Sequence, residues 1–156
     1  MKQDWKVEEF QMMVALGEST TAGGWSTAPN RCWVPILAEL ISDFQSSPML
    51  FVNSGIGANV ISTRSPCYEH SGKPAADERL DKHAISHAPD LLIISYGLND
   101  ARGGTPLDFF GERLTHLVHR VRERVEPVIV LPGPYYMTDF MVGGEPWSHA
   151  DPSIFK

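Results

Sequence analysis

The stretch MMVALGEST, residues 12–20, joins an apolar run of strand length to a glycine, an acid and a serine. Three further runs have the same form, and each ends at glycine or proline: MLFVNSG (49–55), DLLIISYG (90–97) and PVIVLPG (127–133). Their apolar residues are almost continuous rather than alternating, which is typical of strands that are covered on both faces. The four runs therefore predict a parallel sheet.

Segments with helical periodicity lie between these runs, at 33–44, 75–88 and 107–125. In the second segment the charged residues lie opposite the apolar ones, as on a surface helix. The apolar residues that share a face are Val34, Leu37, Leu40 and Ile41 in the first segment, Leu80, Ala84 and Ile85 in the second, and Phe110, Leu114, Leu117, Val118 and Val121 in the third. Strand and helix alternate, so the sequence predicts one α/β domain over residues 1–156, a three-layer α/β/α sandwich.

Composition excludes several classes of protein. The chain has 156 residues, 42% of them hydrophobic, and a formal net charge of -6, which disfavours a sequence-independent nucleic-acid binder. Its two cysteines lack metal-ligand spacing and are expected to be reduced thiols. The N-terminus, MKQDWKVEEF, has no apolar core of a signal peptide, and no apolar stretch reaches the length of a membrane span. We therefore expect a soluble, cytoplasmic protein.

Polar residues follow the first three runs where ligands of a parallel sheet bind, at the carboxyl ends of the strands. They are Gly17-Glu18-Ser19-Thr20, the turn 53–59, and Gly97-Leu98-Asn99-Asp100. Each alone is an ordinary helix cap or turn. Together they place a hydroxyl, a glycine-flanked N–H and a side-chain amide at one edge, which is the set that acyl transfer requires.

These three blocks resemble those of the SGNH hydrolases, also called GDSL esterases and lipases. Gly17-Glu18-Ser19 corresponds to Gly-Asp-Ser, with Glu in place of Asp, and 97–100 matches Gly-x-Asn-Asp without change. The turn 53–59 corresponds to the glycine-containing second block, and the resemblance covers roughly residues 12–135. It implies the flavodoxin-like SGNH hydrolase fold and no metal or organic cofactor.

The resemblance also implies a role for each matched position. Ser19 is implied to be the nucleophile and, through its own N–H, an oxyanion donor. A second backbone donor falls at Gly57 if the alignment has a gap and at Ala58 if it has none. The side-chain amide of Asn99 is implied to be the third donor. Asp100 is expected to be structural. The acid at position 18 is expected to hold the turn, the alternative being a solvated carboxylate near a helix start.

The general base is missing from the resemblance, because no Asp-x-x-His block occurs in the chain. The six histidines include His149, which precedes Asp151 in reversed order and at short spacing, and we do not expect it to be the base. The simplest interpretation is an N-terminal portion of such a hydrolase, lacking a last strand and helix. A chain truncated in this way is expected to self-associate through its exposed edge.

The sequence therefore predicts a serine hydrolase acting on small-molecule carboxylic esters, as an esterase, lipase or deacetylase, whose activity in this form is open. One alternative is a catalytically silent module of the same ancestry that acts by binding or self-association. Another is a flavodoxin-like nucleotide or phosphate binder that uses GESTTAGG (17–24) as a phosphate cradle. The phosphate-binding motifs that such a binder needs are absent, so this alternative ranks last.

Overall fold

The computed structural model of the chain describes residues 8–134 and Trp147. Four strands form one parallel sheet in the order β2-β1-β3-β4. The strands are β1 (Met12–Gly17), β2 (Leu50–Gly55), β3 (Leu91–Ser95) and β4 (Val128–Val130). Each lies within one of the four apolar runs, so the predicted parallel sheet is confirmed.

Helices connect the strands. They are α1 (Ser19–Ala22), α2 (Trp33–Phe44), α3 (Ala76–His83), α4 (Leu98–Arg102) and α5 (Leu107–Arg122), with 3-10 turns at Pro29–Arg31, Tyr68–His70 and Ile85–His87. The start of α3 shows why a helix forms there, because the Glu78 carboxylate turns back to accept the Ala75 N–H at 2.8 Å. The periodicity predicted α2, α3 and α5 but not the short helices α1 and α4, which hold too few residues to show a period.

The core lies on both faces of the sheet. On one face Val14, Leu16, Leu92 and Ile94 pack with α3 and α5, through Leu80, Leu117 and Val121. On the other face Met13, Ala15, Leu91 and Ile93 pack with α2, through Val34 and Ala38. Alternate residues of β1 and β3 thus face opposite helix layers, which confirms the three-layer α/β/α architecture.

Two expectations about burial are wrong. The strands β2 and β4, at the edges of the described sheet, are not covered on both faces, since Leu50 is 66%, Phe51 43% and Val130 43% exposed. Strand order is the reason: within the described residues β2 pairs with β1 alone and β4 with β3 alone, and the helices pack mainly on β1 and β3. Leu40 was expected on the buried face of α2, but it is 51% exposed, while Val34 and Ala38 face the sheet.

Exposed apolar side chains also occur on α2 and around β4, including Phe44, Val130 and Leu131. They are compatible with the expected self-association, which stays a prediction. None of the helices in the described part of the chain combines the length and the apolar composition needed to cross a bilayer.

Gly55 is required where β2 ends, because a Cβ there would overlap the backbone N and Cα of Ala22 in α1. Gly55→Ala is therefore expected to lower the free energy of unfolding by about 1–3 kcal/mol, the usual cost of overpacking. Gly111→Ala is the matched control, since Gly111 lies in α5 with no atom within 4 Å of its added Cβ. That change is expected to raise stability by up to about 1 kcal/mol through helix propensity. Urea unfolding of both variants checks this, and equal midpoints would contradict the close approach of α1 to β2.

Candidate active site

Parallel pairing gathers the ends of three strands at one edge of the sheet. Gly17 of β1 pairs with Gly55 of β2 and with Ser95 of β3. Ser19, Gly57 and Gly97 each follow one of these paired residues by two positions. The three blocks singled out in the sequence therefore leave the sheet side by side, at its carboxyl edge.

Ser19 begins the single turn of α1 directly after β1. The turn is held by N–H groups of Thr21 and Ala22, which donate to the Glu18 carbonyl at 3.1 and 2.9 Å, and by Gly24 N–H, which donates to Ser19 O at 2.8 Å. Within residues 8–134 nothing bonds the Ser19 hydroxyl or its backbone N–H. Both groups are thus available to a ligand.

The turn after β2 places Ala58 in an unusual conformation. Asn59 N–H donates to Ile56 O at 3.4 Å, and Ala58 inside this turn has φ +54°, the left-handed region that favours glycine. Gly57 does not have a φ in that region. No backbone bond within the described chain uses the N–H of Gly57 or of Ala58.

A second loop supports this turn from outside. Gly72 N–H donates to Ala58 O at 3.0 Å, and the Asn59 amide nitrogen donates to the carbonyls of Gly72 and Pro74. The contact requires a glycine, since a Cβ on residue 72 would overlap the Gly57 carbonyl oxygen. The polar insertion between β2 and α3 therefore serves to fix the backbone of residues 56–59.

Asn99 lies in α4, buried to 4% exposure, and its side chain points to the turn after β2. Its Nδ2 donates one hydrogen to Asn59 O at 3.0 Å. An amide nitrogen carries two hydrogens, so this bond orients the group and leaves the second N–H for another acceptor.

Glu18 joins the end of β1 to the start of α4. Its carboxylate is 2% exposed and accepts N–H bonds from Gly97 at 2.8 Å and from Asn99 at 3.3 Å. Burial, together with the nearby charge of Asp100, raises the pKa of this carboxyl to about 8, although the N–H bonds from Gly97 and Asn99 act to lower it. The alternative of a solvated carboxylate is excluded. Glu18 instead holds the loop that carries Asn99.

Asp100 is a structural acceptor, as expected. Its carboxylate accepts bonds from Ile61 N–H at 2.9 Å, the Ser65 hydroxyl at 2.7 Å and the Thr105 hydroxyl at 3.0 Å. Burial raises the pKa of this carboxyl as well. All three donors come from the protein, which ties α4 to the loop after β2.

Arg79 was missed by the sequence analysis, which placed the charged residues of this segment opposite its apolar face. The residue is 1% exposed and lies among the buried side chains of α3. The available signal was its position in the helix, because Arg79 directly precedes Leu80 and follows Ala76 by three residues. Both of those residues are fully buried.

None of the described histidines bonds to Ser19, and His116 and His119 lie in α5. His70 is exposed in the 3-10 turn before α3, His87 lies in the turn that precedes β3, and neither bonds to Ser19. His83 lies at the end of α3, and burial together with the charge of Arg79 lowers its pKa. The candidate His149 lies outside the described residues.

A small cavity opens beside the site. Its volume is about 130 Å³. The residues that line it are Gly97, Asp100, Ala101, Thr105, Leu107, Phe110 and Pro134. In the described part of the chain, no group of three or more His, Cys, Asp or Glu residues could hold a metal ion.

The raised pKa of Glu18 predicts a pH dependence of stability. Between about pH 4.5 and 8 the folded chain keeps a proton on Glu18 that the unfolded chain has lost. The free energy of unfolding therefore falls as the pH rises through this window. In Glu18→Gln the decrease in the free energy of unfolding across this window is expected to be smaller, by a few kcal/mol at most. The decrease that comes from the raised pKa of Asp100 is expected to remain.

Urea unfolding at a series of pH values measures this effect. Glu39→Gln, which removes an exposed carboxylate from α2, is the control and is expected to keep the wild-type slope. An unchanged slope in Glu18→Gln would show that the buried carboxyl is not the titrating group.

Comparison with known proteins identifies the family to which the chain belongs. The model of the GDSL-like lipase/acylhydrolase family matches residues 15–153. No curated protein matches the chain significantly.

Solved structures share the fold. A lipolytic protein of the G-D-S-L family from Desulfitobacterium hafniense, described as putative in its name, has a TM-score of 0.62 at 20% identity, over 82% of this chain and 62% of its own. A two-domain esterase active on acetylated mannans has a TM-score of 0.64 at 22% identity, over 81% of this chain and 30% of its own. An acetyl xylan esterase from Geobacillus stearothermophilus has a TM-score of 0.59 at 20% identity, over 81% of this chain and 60% of its own.

The chain thus spans less than two thirds of the length of these structures. The family match covers most of the chain, including Ser19, the turn after β2 and Asn99. The chain belongs to the GDSL-like lipase/acylhydrolase family.

Proposed function

We propose that this chain carries the nucleophile and the oxyanion donors of a serine hydrolase that cleaves carboxylic esters. The observation that supports this best is the orientation of the Asn99 amide. One N–H is held by Asn59 O, at the sheet edge from which Ser19 also emerges. A buried donor fixed in this way needs no reorganisation when charge develops on a substrate oxygen.

In the proposed reaction the Ser19 Oγ attacks the ester carbonyl carbon while its proton passes to a general base. The carbonyl electron pair moves to the oxygen, and the resulting oxyanion accepts bonds from the donors. Collapse of this intermediate breaks the bond to the alcohol, which leaves with the proton from the base. Water then attacks the acyl-enzyme in the same way and releases the acid and free Ser19.

Ala58 is the second backbone donor in this proposal, in preference to Gly57. Its φ of +54° is a conformation that glycine adopts most easily. Variants of the second family block read Gly-x-Gly-Gly-Asp, and gapless alignment of this pattern to residues 55–59 puts a glycine at the position of Ala58. A residue that occupies this conformation despite its Cβ supports the gapless alignment.

The general base comes from outside the described residues in this proposal. The described histidines have no bond to Ser19, and the serine hydroxyl is a weak nucleophile without a base. The same observation favours the second candidate function, a silent domain that binds esters without cleaving them.

Esters with short acyl groups are the proposed substrates. The cavity beside Gly97 has a volume of only about 130 Å³, and its apolar lining includes Ala101, Leu107 and Phe110. Two of the proteins that share the fold are described as acting on acetylated mannans and as an acetyl xylan esterase.

Covalent labelling by a fluorophosphonate tests the proposed nucleophile, because this probe reacts only with an activated serine. Labelling of the wild-type chain by the mass of one probe would show that a base from outside the described residues reaches Ser19, and Ser19→Ala is expected to gain no probe. Asn99→Ala should label on the order of a hundredfold more slowly, because it removes one oxyanion donor. A methyl-substituted probe should label faster than one with a dodecyl chain.

Ser86→Ala is the control for the nucleophile, since Ser86 is exposed and lies in the turn before β3. This variant should label at the wild-type rate. A folded wild-type chain that does not label would contradict hydrolase activity of this chain and favour the silent domain. Faster labelling by the dodecyl probe would contradict the short acyl group.

A further inference from the structure

The buried guanidinium of Arg79 contacts the ends of three strands. Its Nη1 donates to Ser54 O at 2.7 Å. Its Nη2 carries two hydrogens and lies within hydrogen-bond distance of three acceptors, Gly17 O at 3.0 Å, the Tyr96 hydroxyl at 2.6 Å and Asn59 Oδ1 at 3.2 Å, so two of them share one hydrogen. Ser54 lies in β2, Gly17 ends β1 and Tyr96 directly follows β3. One side chain from the helix layer therefore reaches every strand that contributes to the site.

The acceptors of Arg79 are all neutral. No carboxylate within residues 8–134 forms an ion pair with it, and its Nε is buried without a partner there. A cation at 1% exposure with an unmet donor is costly, and an apolar side chain often packs as well in such a place. Its contacts with three strand ends and with Asn59 in the turn after β2 point to a role in the site that packing alone does not require.

We propose that Arg79 is a positioning residue that sets the spacing between the nucleophile and the oxyanion donors. This inference rests on the proposed function. Gly17, whose carbonyl Arg79 holds, lies two residues before Ser19. Asn59, whose side chain Arg79 holds, uses its own carbonyl to orient the amide of Asn99.

The Tyr96 hydroxyl extends the contact. It accepts a bond from Arg79 and donates a short one to Asn59 Oδ1. Asn59 Oδ1 is thus bonded both directly and through Tyr96. This closed arrangement fixes the side chain of Asn59, and with it the backbone that follows Ala58.

Lysine cannot take over this role. The guanidinium is a planar fork with donors in fixed directions, whereas an ammonium is a point donor on a flexible stem. Arg79→Lys keeps the charge and is expected to lose the simultaneous contact with the three strand ends. Because oxyanion donors act mainly in the transition state, the maximal labelling rate should fall while the half-saturating probe concentration stays the same.

The matched control is Arg120→Lys. Arg120 reaches the same helix, α3, and donates to Asp77 O and to the Asp81 carboxylate, both at 2.8 Å. It holds α5 against α3 without contacting the site. This control separates a general loss of helix packing from a change at the strand ends.

The experiment combines NMR of the full chain with fluorophosphonate labelling, both well below the unfolding temperature of each variant. In Arg79→Lys we expect the backbone amide signal of Ala58 and the side-chain amide signals of Asn99 to shift and to exchange faster. We expect the maximal labelling rate to fall about tenfold or more. Arg120→Lys should leave these signals and this rate at their wild-type values.

Tyr96→Phe covers the case in which Arg79→Lys fails to fold, since it keeps the guanidinium and removes only the hydroxyl. It is expected to shift the signals of Asn59 and Asn99 in the same direction by a smaller amount. Wild-type signals for Ala58 and Asn99 in a folded Arg79→Lys, or in Tyr96→Phe if the first does not fold, would overturn the inference.

The NMR result also distinguishes the two possible failures. If the wild-type chain does not label but the Asn99 signals shift in Arg79→Lys, the proposed function fails and the positioning role stands. If the wild-type chain labels and Arg79→Lys labels at the same maximal rate, the positioning role fails and the proposed function stands.

Discussion

The central strand β1 pairs in parallel with both β2 and β3, and this pairing determines where every group of the site lies. Since Gly17 pairs with Gly55 and Ser95, the three strands end at the same position along the sheet. A one-residue slip of either neighbour would turn its side chains to the opposite face and separate the serine from its donors. The fold thus provides the proximity on which the proposed chemistry depends.

Two buried ionisable side chains hold the strand ends that the register brings together. Glu18 links the first and third strand ends by accepting two N–H bonds, and Arg79 links all three by donating to carbonyl, amide and hydroxyl oxygens. At low dielectric such bonds are strong and their loss is costly. The carboxyl and the guanidinium therefore act as a frame around the ends of the sheet. Within the described residues, the Ser19 hydroxyl and N–H, the Ala58 N–H and the second N–H of the Asn99 amide have no partner.

Much of this arrangement follows from the sequence. Continuous apolar runs were sufficient to predict β1 to β4, and their polar ends were sufficient to bring Ser19 and Asn99 to one edge. The exposure of Leu50 and Phe51 was not predictable, because composition does not reveal which strand lies at an edge. Arg79 was assigned to solvent since a helical period describes one element and not the acceptors that a neighbouring sheet offers. The φ of Ala58 depends on the loop that packs against its turn, at Gly72, and no local pattern encodes that contact.

The central claim is that three strand ends converge on one oxyanion. A crystal structure of the phosphonylated chain tests it most directly. The account predicts a phosphorus bonded to Ser19 Oγ, with the phosphoryl oxygen about 3 Å from the N–H of Ser19, the N–H of Ala58 and the Asn99 amide. A phosphoryl oxygen that points to solvent, or an adduct on another side chain, would contradict it.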